Sequence, residues 1–273
     1  MAYFGNNKQL NAAIAAKHTE EMKSKYAFEI GCSVVNTKIY QDIIFKNNTN
    51  NYISKERKII IDNLDSTRAI MKYCAFPHYT AVLNFSSYKN PGGQFLNGSM
   101  AQEEALCHES FLYNVLREFD KNFYDWNRHH LNKALYLNRG LFSPDIKFFK
   151  NGKIVQCNVI TCAAPNKTAA TRYQQISDLE NKTALEKRIK FVLDIAKEND
   201  IKTLILGAYG CGVFGQNPTE VASIFKEYLK NDFNCFDKVI FAIPKNENSK
   251  NYEKFIEVFC GDEWYENIYK KNI

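Results

Sequence analysis

Two glycine-rich windows and one pair of adjacent acids carry the chemistry this chain could do. Gly92, Gly93 and Gly98 fall in NPGGQFLNGSMAQEEALCHES, and Gly207, Gly210, Gly212 and Gly215 in GAYGCGVFGQNP; together they hold seven of the 12 glycines. Each window follows an apolar, strand-like run and precedes a helical pattern. Glycine lets the backbone turn sharply and bring its amides close to a ligand. In open α/β sheets ligands bind at such loops, outside the carboxyl ends of the strands. Two of these loops imply a cleft with a glycine-lined wall on either side. In the second window Asn217 reads as an N-cap and Pro218 as the first helical residue. The helix then presents its positive end near the loop, a ready place for a diphosphate. A tight turn without a ligand is the alternative, although four glycines between 207 and 215 exceed what one turn requires.

Gly210-Cys211-Gly212-Val213-Phe214-Gly215 also fits G-x-G-x-x-G. The dinucleotide fingerprint places its first glycine at the end of the first strand, with an acid about 20 positions on at the end of the next. Here the next strand ends in Ile243-Pro244-Lys245, and the loop comes late in the chain. A nicotinamide-dependent oxidoreductase is therefore disfavoured. In the first window, Ser99-x-x-Gln102 matches a capping box and predicts a helix from Ser99. Glu103 and Glu104 then lie in its first turns, where the helix dipole favours each acid by about 0.3–1 kcal/mol. That alone would account for them. The competing account is catalytic: neighbouring helical residues point about 100° apart, so one carboxyl can face the cleft while the other holds a hydroxyl or backbone group. A carboxyl confined beside a ligand can also keep a proton to donate. The pattern leaves both accounts open.

The elements that must position these groups follow from periodicity. Residues 8–27 read as an amphipathic helix with Leu10, Ile14 and His18 on one face, and Ile43–Phe45 as a short strand. RKIIIDN, TAVLNFS, IKTLILG and FDKVIFAIP read as strands, the middle two as buried apolar runs. Asn151-Gly152 predicts a hairpin turn between DIKFF and IVQCNVITC. Helices are predicted over Asp65–Tyr73, Met100–Glu118, 120–137, Thr183–Asn199, Pro218–Lys230 and Asn251–Cys260; Asn166–Ser177 reads as a mobile loop. Strands alternating with helices give an α/β fold. With no Pro/Gly/Ser linker, residues 1–57 are read as an N-terminal extension packed on a domain spanning 58–273.

Composition removes other classes. The 273 residues are 45% hydrophobic and 14% aromatic, too apolar for a disordered chain. No run approaches the ~18–20 apolar residues of a membrane span, and the start lacks a secretory pattern. The net charge of +6 suits either a polyanionic substrate or simple solubility. The eight cysteines form no C-x-x-C pair and read as reduced cytosolic thiols. The five histidines have no ligand spacing, so neither a metal nor a cofactor is expected.

LNFSSYKNPGGQFLNGSMAQEEALCHESFLY, NVITCAAPN and GAYGCGVFG, in this order, resemble the microbial-type poly(ADP-ribose) glycohydrolases, a branch of the macrodomain fold. The resemblance covers nearly the whole chain. It implies a three-layer α/β/α domain with a mixed central sheet and an N-terminal helical extension. It also implies a monomeric, cytoplasmic, non-membrane glycoside hydrolase that releases ADP-ribose from poly(ADP-ribose) or an ADP-ribosylated macromolecule, trimming from chain ends. Glu104 matches the catalytic glutamate, and Glu103 the neighbour that holds ribose hydroxyls. Gln102 completes the motif; Gly92 and Gly93, with Asn90, match the loop around the distal ribose. Gly210, Cys211, Gly212, Val213, Phe214 and Gly215 match the diphosphate loop, with Phe214 over that ribose. Phe241 is a candidate adenine wall. The family has a third consecutive glycine where this chain has Gln94. If that position needs positive φ, Gln94 is strained, which would favour a binding-only reader. A hydrolase of single ADP-ribose groups is the other alternative.

Overall fold

The computed structural model describes residues 7–42, 54, 57–245, 247 and 249–260. The elements in chain order are α1 (Lys8–Lys25), α2 (Ala27–Asn36), β1 (Lys38–Gln41), β2 (Lys58–Asp62), α3 (Ser66–Tyr73), β3 (Thr80–Phe85), α4 (Gln102–His108), α5 (Leu112–Leu116), α6 (Asp125–His129), β4 (Arg139–Lys150), β5 (Lys153–Cys162), α7 (Lys167–Gln174), α8 (Asp178–Glu198), β6 (Thr203–Leu206), α9 (Pro218–Asn231), β7 (Lys238–Ala242) and α10 (Asn251–Cys260). The strands form one mixed sheet in the order β1-β4-β5-β3-β6-β7-β2. The run from β5 through β2 is parallel; β4 pairs antiparallel with β5, and β1 antiparallel with β4. Parallel strands are covered on both faces, which is why β3 reads as an unbroken apolar run. Leu185, Ile189 and Val192 of α8, Phe225 of α9, and Phe255 and Phe259 of α10 fill one face. Ile70 of α3, Leu106 of α4, Leu112 and Val115 of α5, and Ala15 and Met22 of α1 fill the other.

β3 is the middle strand, flanked by β5 and β6. All three deliver their carboxyl ends to the same edge, so the loops after β3 and β6 lie beside one another. The first glycine window leaves β3 and the second leaves β6, as their order in the sequence requires.

Several expectations are corrected by the packing. The helix predicted over Met100–Glu118 is broken: α4 ends at His108 and α5 begins at Leu112. Between them Ser110 bridges Phe148 of β4, and Phe149 N donates to Glu109 O at 2.7 Å. The Ser110 hydroxyl donates to Leu106 O and accepts from Leu112 N. Pairing with a strand edge thus overrides helical periodicity for one turn. Segment 120–137 is a π-helical turn at Asp120–Tyr124 followed by α6, then irregular backbone. Asn166–Ser177 is not a mobile loop. Asn166 caps α7 by accepting from Ala169 N at 3.0 Å, and Thr168 N donates to Phe214 O at 3.1 Å, tying α7 to the second glycine loop. The strand read over Ile43–Phe45 lies outside the described residues.

The buried face of α1 is also shifted from the one predicted. It is Asn11, Ala15, Thr19 and Met22, while Leu10 is 49% exposed. Small and polar residues win because α1 sits directly on the turn that ends the first glycine window. Asn11 Nδ2 donates to Gly98 O at 3.2 Å, and Gly98 takes φ +79° under the Lys8 carbonyl, where no Cβ could fit. The extension therefore buttresses a loop of the cleft. Asn11→Ala would leave the buried Gly98 carbonyl without this donor. The expected cost is about 1–3 kcal/mol of unfolding free energy, read by urea denaturation. A change inside about 0.5 kcal/mol, the usual range for inert surface changes, would show that α1 does not hold this turn.

Candidate functional site

The site is built around the end of β3 and the start of α4. The helix begins at Gln102 with Ala101 as N-cap, three residues later than the capping-box pattern predicted. Alanine has no side-chain acceptor, so only half of a capping box forms: Glu104 Oε2 accepts from Ala101 N at 2.9 Å. Gln102 acts as a short surrogate strand. Its Oε1 accepts from Phe85 N at 2.8 Å, and its Nε2 donates to Leu83 O at 2.8 Å and Ser66 Oγ at 3.0 Å. These bonds lock the first turn of α4 to the last residues of β3 and so fix where the two acids point.

Both carboxyls are buried, Glu103 at 3% and Glu104 at 6% exposure. Glu103 accepts from Asn84 Nδ2 at 3.1 Å and from Ser87 N at 2.7 Å. Glu104 Oε1 accepts from Gln94 N at 2.9 Å. Gly93 packs against both. A Cβ there would stand 2.5 Å from Glu104 Oε1 and 2.9 Å from Glu103 Oε2, and the residue holds φ +62°. Two carboxylate oxygens thus converge on a single glycine that could carry no side chain. Burial, with Glu104 beside it, pushes the Glu103 carboxyl from its ordinary 4.5 up to about 8, against the opposing bonds from Ser87 and Asn84. A buried carboxyl beside a second acid holds its proton to higher pH than an exposed one.

Gln94 sits at φ −111°, ordinary backbone for a side-chain-bearing residue. The strain that positive φ would impose is therefore absent. Its side chain is exposed at the lining of the cleft, where Oε1 accepts from Asn97 Nδ2 at 2.6 Å.

The opposite wall is the loop after β6. Gly210 takes φ +75° against Ala164 and Gln216, and Gly215 φ +69° against Thr168. Gln216 binds Pro165 O and Asn181 through its amide, anchoring the loop to β5 and α8. A Cβ on Gly212 would meet nothing within 4 Å; here the missing side chain leaves open space above the backbone. The amides of Gly212, Val213 and Phe214 donate to no backbone carbonyl among the described residues. Asn217 caps α9 through Thr219 N at 2.9 Å, with Pro218 in its first turn.

Between these walls lies a cleft of about 580 Å³. Of the residues singled out from sequence, Asn90, Gly93, Gln94, Gln102, Glu103, Glu104, Gly210, Gly212, Val213 and Phe214 line it. Gly92, Cys211 and Gly215 stand behind the lining. Gly92 lies against the Tyr113 ring, and Cys211 packs on the core cluster around α9, where burial pushes its thiol up to about 12. Phe241 is a core residue among Phe225, Phe255 and Phe259, with ring centres 5.1–5.4 Å apart. It forms no part of the cleft. Sequence reading missed Ser87, Tyr136, Asn166 and Tyr209, which also line it. Tyr136 stacks on Tyr88 at 4.3 Å and meets Phe214 edge-on at 6.1 Å. Its place comes from β4 lying next to β5, which no local pattern announces. Asn166 had a visible signal as a helix cap.

Helices on both faces of a mixed sheet, with two glycine loops walling a cleft at the carboxyl ends of its parallel strands, define a macrodomain-like fold. The family model for the microbial-type PARG catalytic domain matches residues 8–151, just over half of the chain. The solved poly(ADP-ribose) glycohydrolase (PARG) of Thermomonospora curvata is 26% identical over 92% of this chain and all of its own, with a TM-score of 0.81. That of Deinococcus radiodurans, solved in complex with ADP-ribose, is 29% identical over 84% of this chain and 96% of its own, with a TM-score of 0.75. The T. curvata protein bound to the inhibitor ADP-HPD superposes with a TM-score of 0.77 at 26% identity, over 92% of this chain and all of its own. No curated protein matches the chain. The chain belongs to the microbial-type PARG catalytic domain family.

The raised Glu103 carboxyl has a signature in stability. Between 4.5 and about 8 the folded protein keeps a proton that the unfolded chain has lost. Stability is therefore full below pH 4.5 and falls as pH rises to about 8, on the order of 1.4 kcal/mol per unit. In Glu103→Gln this contribution is expected to vanish. Urea unfolding at a series of pH values reads the difference, and parallel curves for the two proteins would refute the shift.

Proposed function

We infer that the protein hydrolyses the ribose–ribose O-glycosidic bonds of poly(ADP-ribose) and releases ADP-ribose. The observation that carries this reading is the convergence of Glu103 and Glu104 on Gly93, facing a glycine loop with outward amides across one cleft. The distal ribose lies between the acids and Phe214. The diphosphate lies on the amides of residues 212–214 near the start of α9, where a helix N-terminus favours anions. Asn90 and Gly93 border the ribose, and Gln102 holds the acids in register.

Glu104 protonates the leaving ribose oxygen as positive charge grows on the anomeric carbon. The proton comes from the Glu104 carboxyl itself, and Glu103 orients the ribose hydroxyls. The bond to the leaving oxygen then breaks with its electron pair on that oxygen. The Glu104 carboxylate next takes a proton from water as the water attacks the anomeric carbon. Glycosidases usually divide these duties between two carboxyls across the bond; here one serves both steps, and the substrate diphosphate steadies the cation. Rigid positioning by the two loops supplies much of the rate. Chain-end trimming by a monomer in the cytoplasm suits this cleft. Among the described residues no helix is long and apolar enough to cross a membrane.

A binding-only reader drew its support from Gln94. With φ at −111° and its amide bonded to Glu104, Gln94 gives the backbone donor that a glycine there would give. Gln94→Gly is accordingly expected to leave the rate of ADP-ribose release within about twofold, well under one tenfold step of 1.4 kcal/mol; a large gain would mean that Gln94 obstructs the cleft. Glu104→Gln is expected to abolish release from the polymer while ADP-ribose affinity stays within about tenfold, 1.4 kcal/mol. Turnover unchanged in that variant would refute the role of Glu104.

A further inference from the structure

A second cavity of about 600 Å³ opens beside the cleft, and Tyr136 lines both. It is therefore as large as the cleft read above as taking one ADP-ribose. Three independent features set it apart from ordinary surface.

The first is backbone strain. Asn132, Lys133, Ala134 and Tyr136 all hold positive φ, between 45° and 65°. Such values are rare for side-chain-bearing residues, and they persist only where surrounding structure imposes them, typically at functional sites. The imposing bonds are visible: Asn166 N donates to Ala134 O at 3.0 Å and Tyr136 N to Leu131 O at 3.1 Å. This strain sets the Tyr136 ring as a partition between two cavities.

The second is a buried cation. Arg188, 1% exposed, lines the cavity. Its hydrogen bonds run to Asn138 Oδ1, Ala163 O and Leu135 O, which are all neutral oxygens. No carboxylate is among these three partners. Lys133 and Lys187 stand exposed at the same cavity, against Asp42 and Glu180. The Glu180 carboxylate accepts from the Ser177 amide and hydroxyl, both neutral donors, and keeps its charge. Lys133, Lys187 and Arg188 against Asp42 and Glu180 leave the lining with a net of one positive charge.

The third is an apolar rim. Leu179 is 74% exposed beside the buried Ile176. A site with cations on one side and aliphatic surface on the other matches a nucleoside diphosphate, with phosphates on the bases and the nucleobase on the apolar side.

We propose that this cavity receives the neighbouring ADP-ribose unit of the same polymer, so that two consecutive units are gripped on either side of Tyr136. The proposal rests on the reading that the cleft takes the first unit. It makes the protein selective for chains over single ADP-ribose groups, because only a chain can fill both cavities at once.

The test compares ADP-ribose with a short poly(ADP-ribose) oligomer of defined length, bound to Glu104→Gln protein and followed by calorimetry. The oligomer is expected to bind about tenfold more tightly than ADP-ribose. Adding Lys133→Glu and Lys187→Glu should erase that gain while ADP-ribose affinity stays within about twofold. The same charge change placed far away, Lys23→Glu with Lys153→Glu, should preserve the gain and so exclude a general loss of attraction for polyanions. The proposal is overturned if ADP-ribose binds but the oligomer binds no tighter, or if the distant pair costs as much as the near one. Failure of ADP-ribose itself to bind would instead overturn the reading of the cleft, and this proposal with it.

Discussion

The structure turns on the contact between Gly93 and two carboxyl groups. A residue with no side chain, held at φ +62°, admits Glu103 and Glu104 to within 2.9 Å of one point. Everything nearby serves that approach. Gln102 ties α4 to β3, Ala101 and Gln94 give amides to Glu104, and Ser87 and Asn84 give donors to Glu103. Two acids so close in a dry place cannot both stay charged without cost. That cost falls on Glu103, whose carboxyl is raised by burial to about 8.

The parallel strands convert this local arrangement into a cleft. Because β5, β3 and β6 run in the same direction, the acid-bearing loop after β3 and the amide-bearing loop after β6 face each other across one sheet edge. One side carries two buried carboxyls, and the other carries amides at residues 212–214 that bond no backbone carbonyl among the described residues. Neither loop would be useful alone. The α1 helix, on the opposite face from α8 and α9, reaches round to brace the first loop at Gly98, so the N-terminal segment is mechanically part of the site.

Much of this was legible in the sequence, and the reasons are local. The buried strands showed as apolar runs, the hairpin as Asn151-Gly152, and α9 as Asn217-Pro218. The two loops showed as glycine clusters placed after strands. The missing pieces depended on contacts between distant segments. Nothing near Ser110 announces that β4 will pull residues 109–110 out of a helix. The α1 face was misjudged because apolar spacing favoured Leu10 and Ile14, whereas fit against the Phe95–Gly98 turn favoured Asn11 and Ala15. Tyr136 carries no motif, and its place as a cleft wall follows from the strand order together with the positive-φ backbone just before β4. The expectation of strain at Gln94 rested on a backbone angle that sequence cannot supply; φ −111° removes it, while the side chain still lines the cleft.

The most direct test of the central claim is a crystal structure of the protein with ADP-ribose bound. The account predicts the diphosphate on the amides of Gly212, Val213 and Phe214, and the anomeric carbon of the distal ribose turned toward the Glu104 carboxylate beside Gly93. A nucleotide seated elsewhere, or a ribose whose anomeric carbon faces away from both acids, would contradict it.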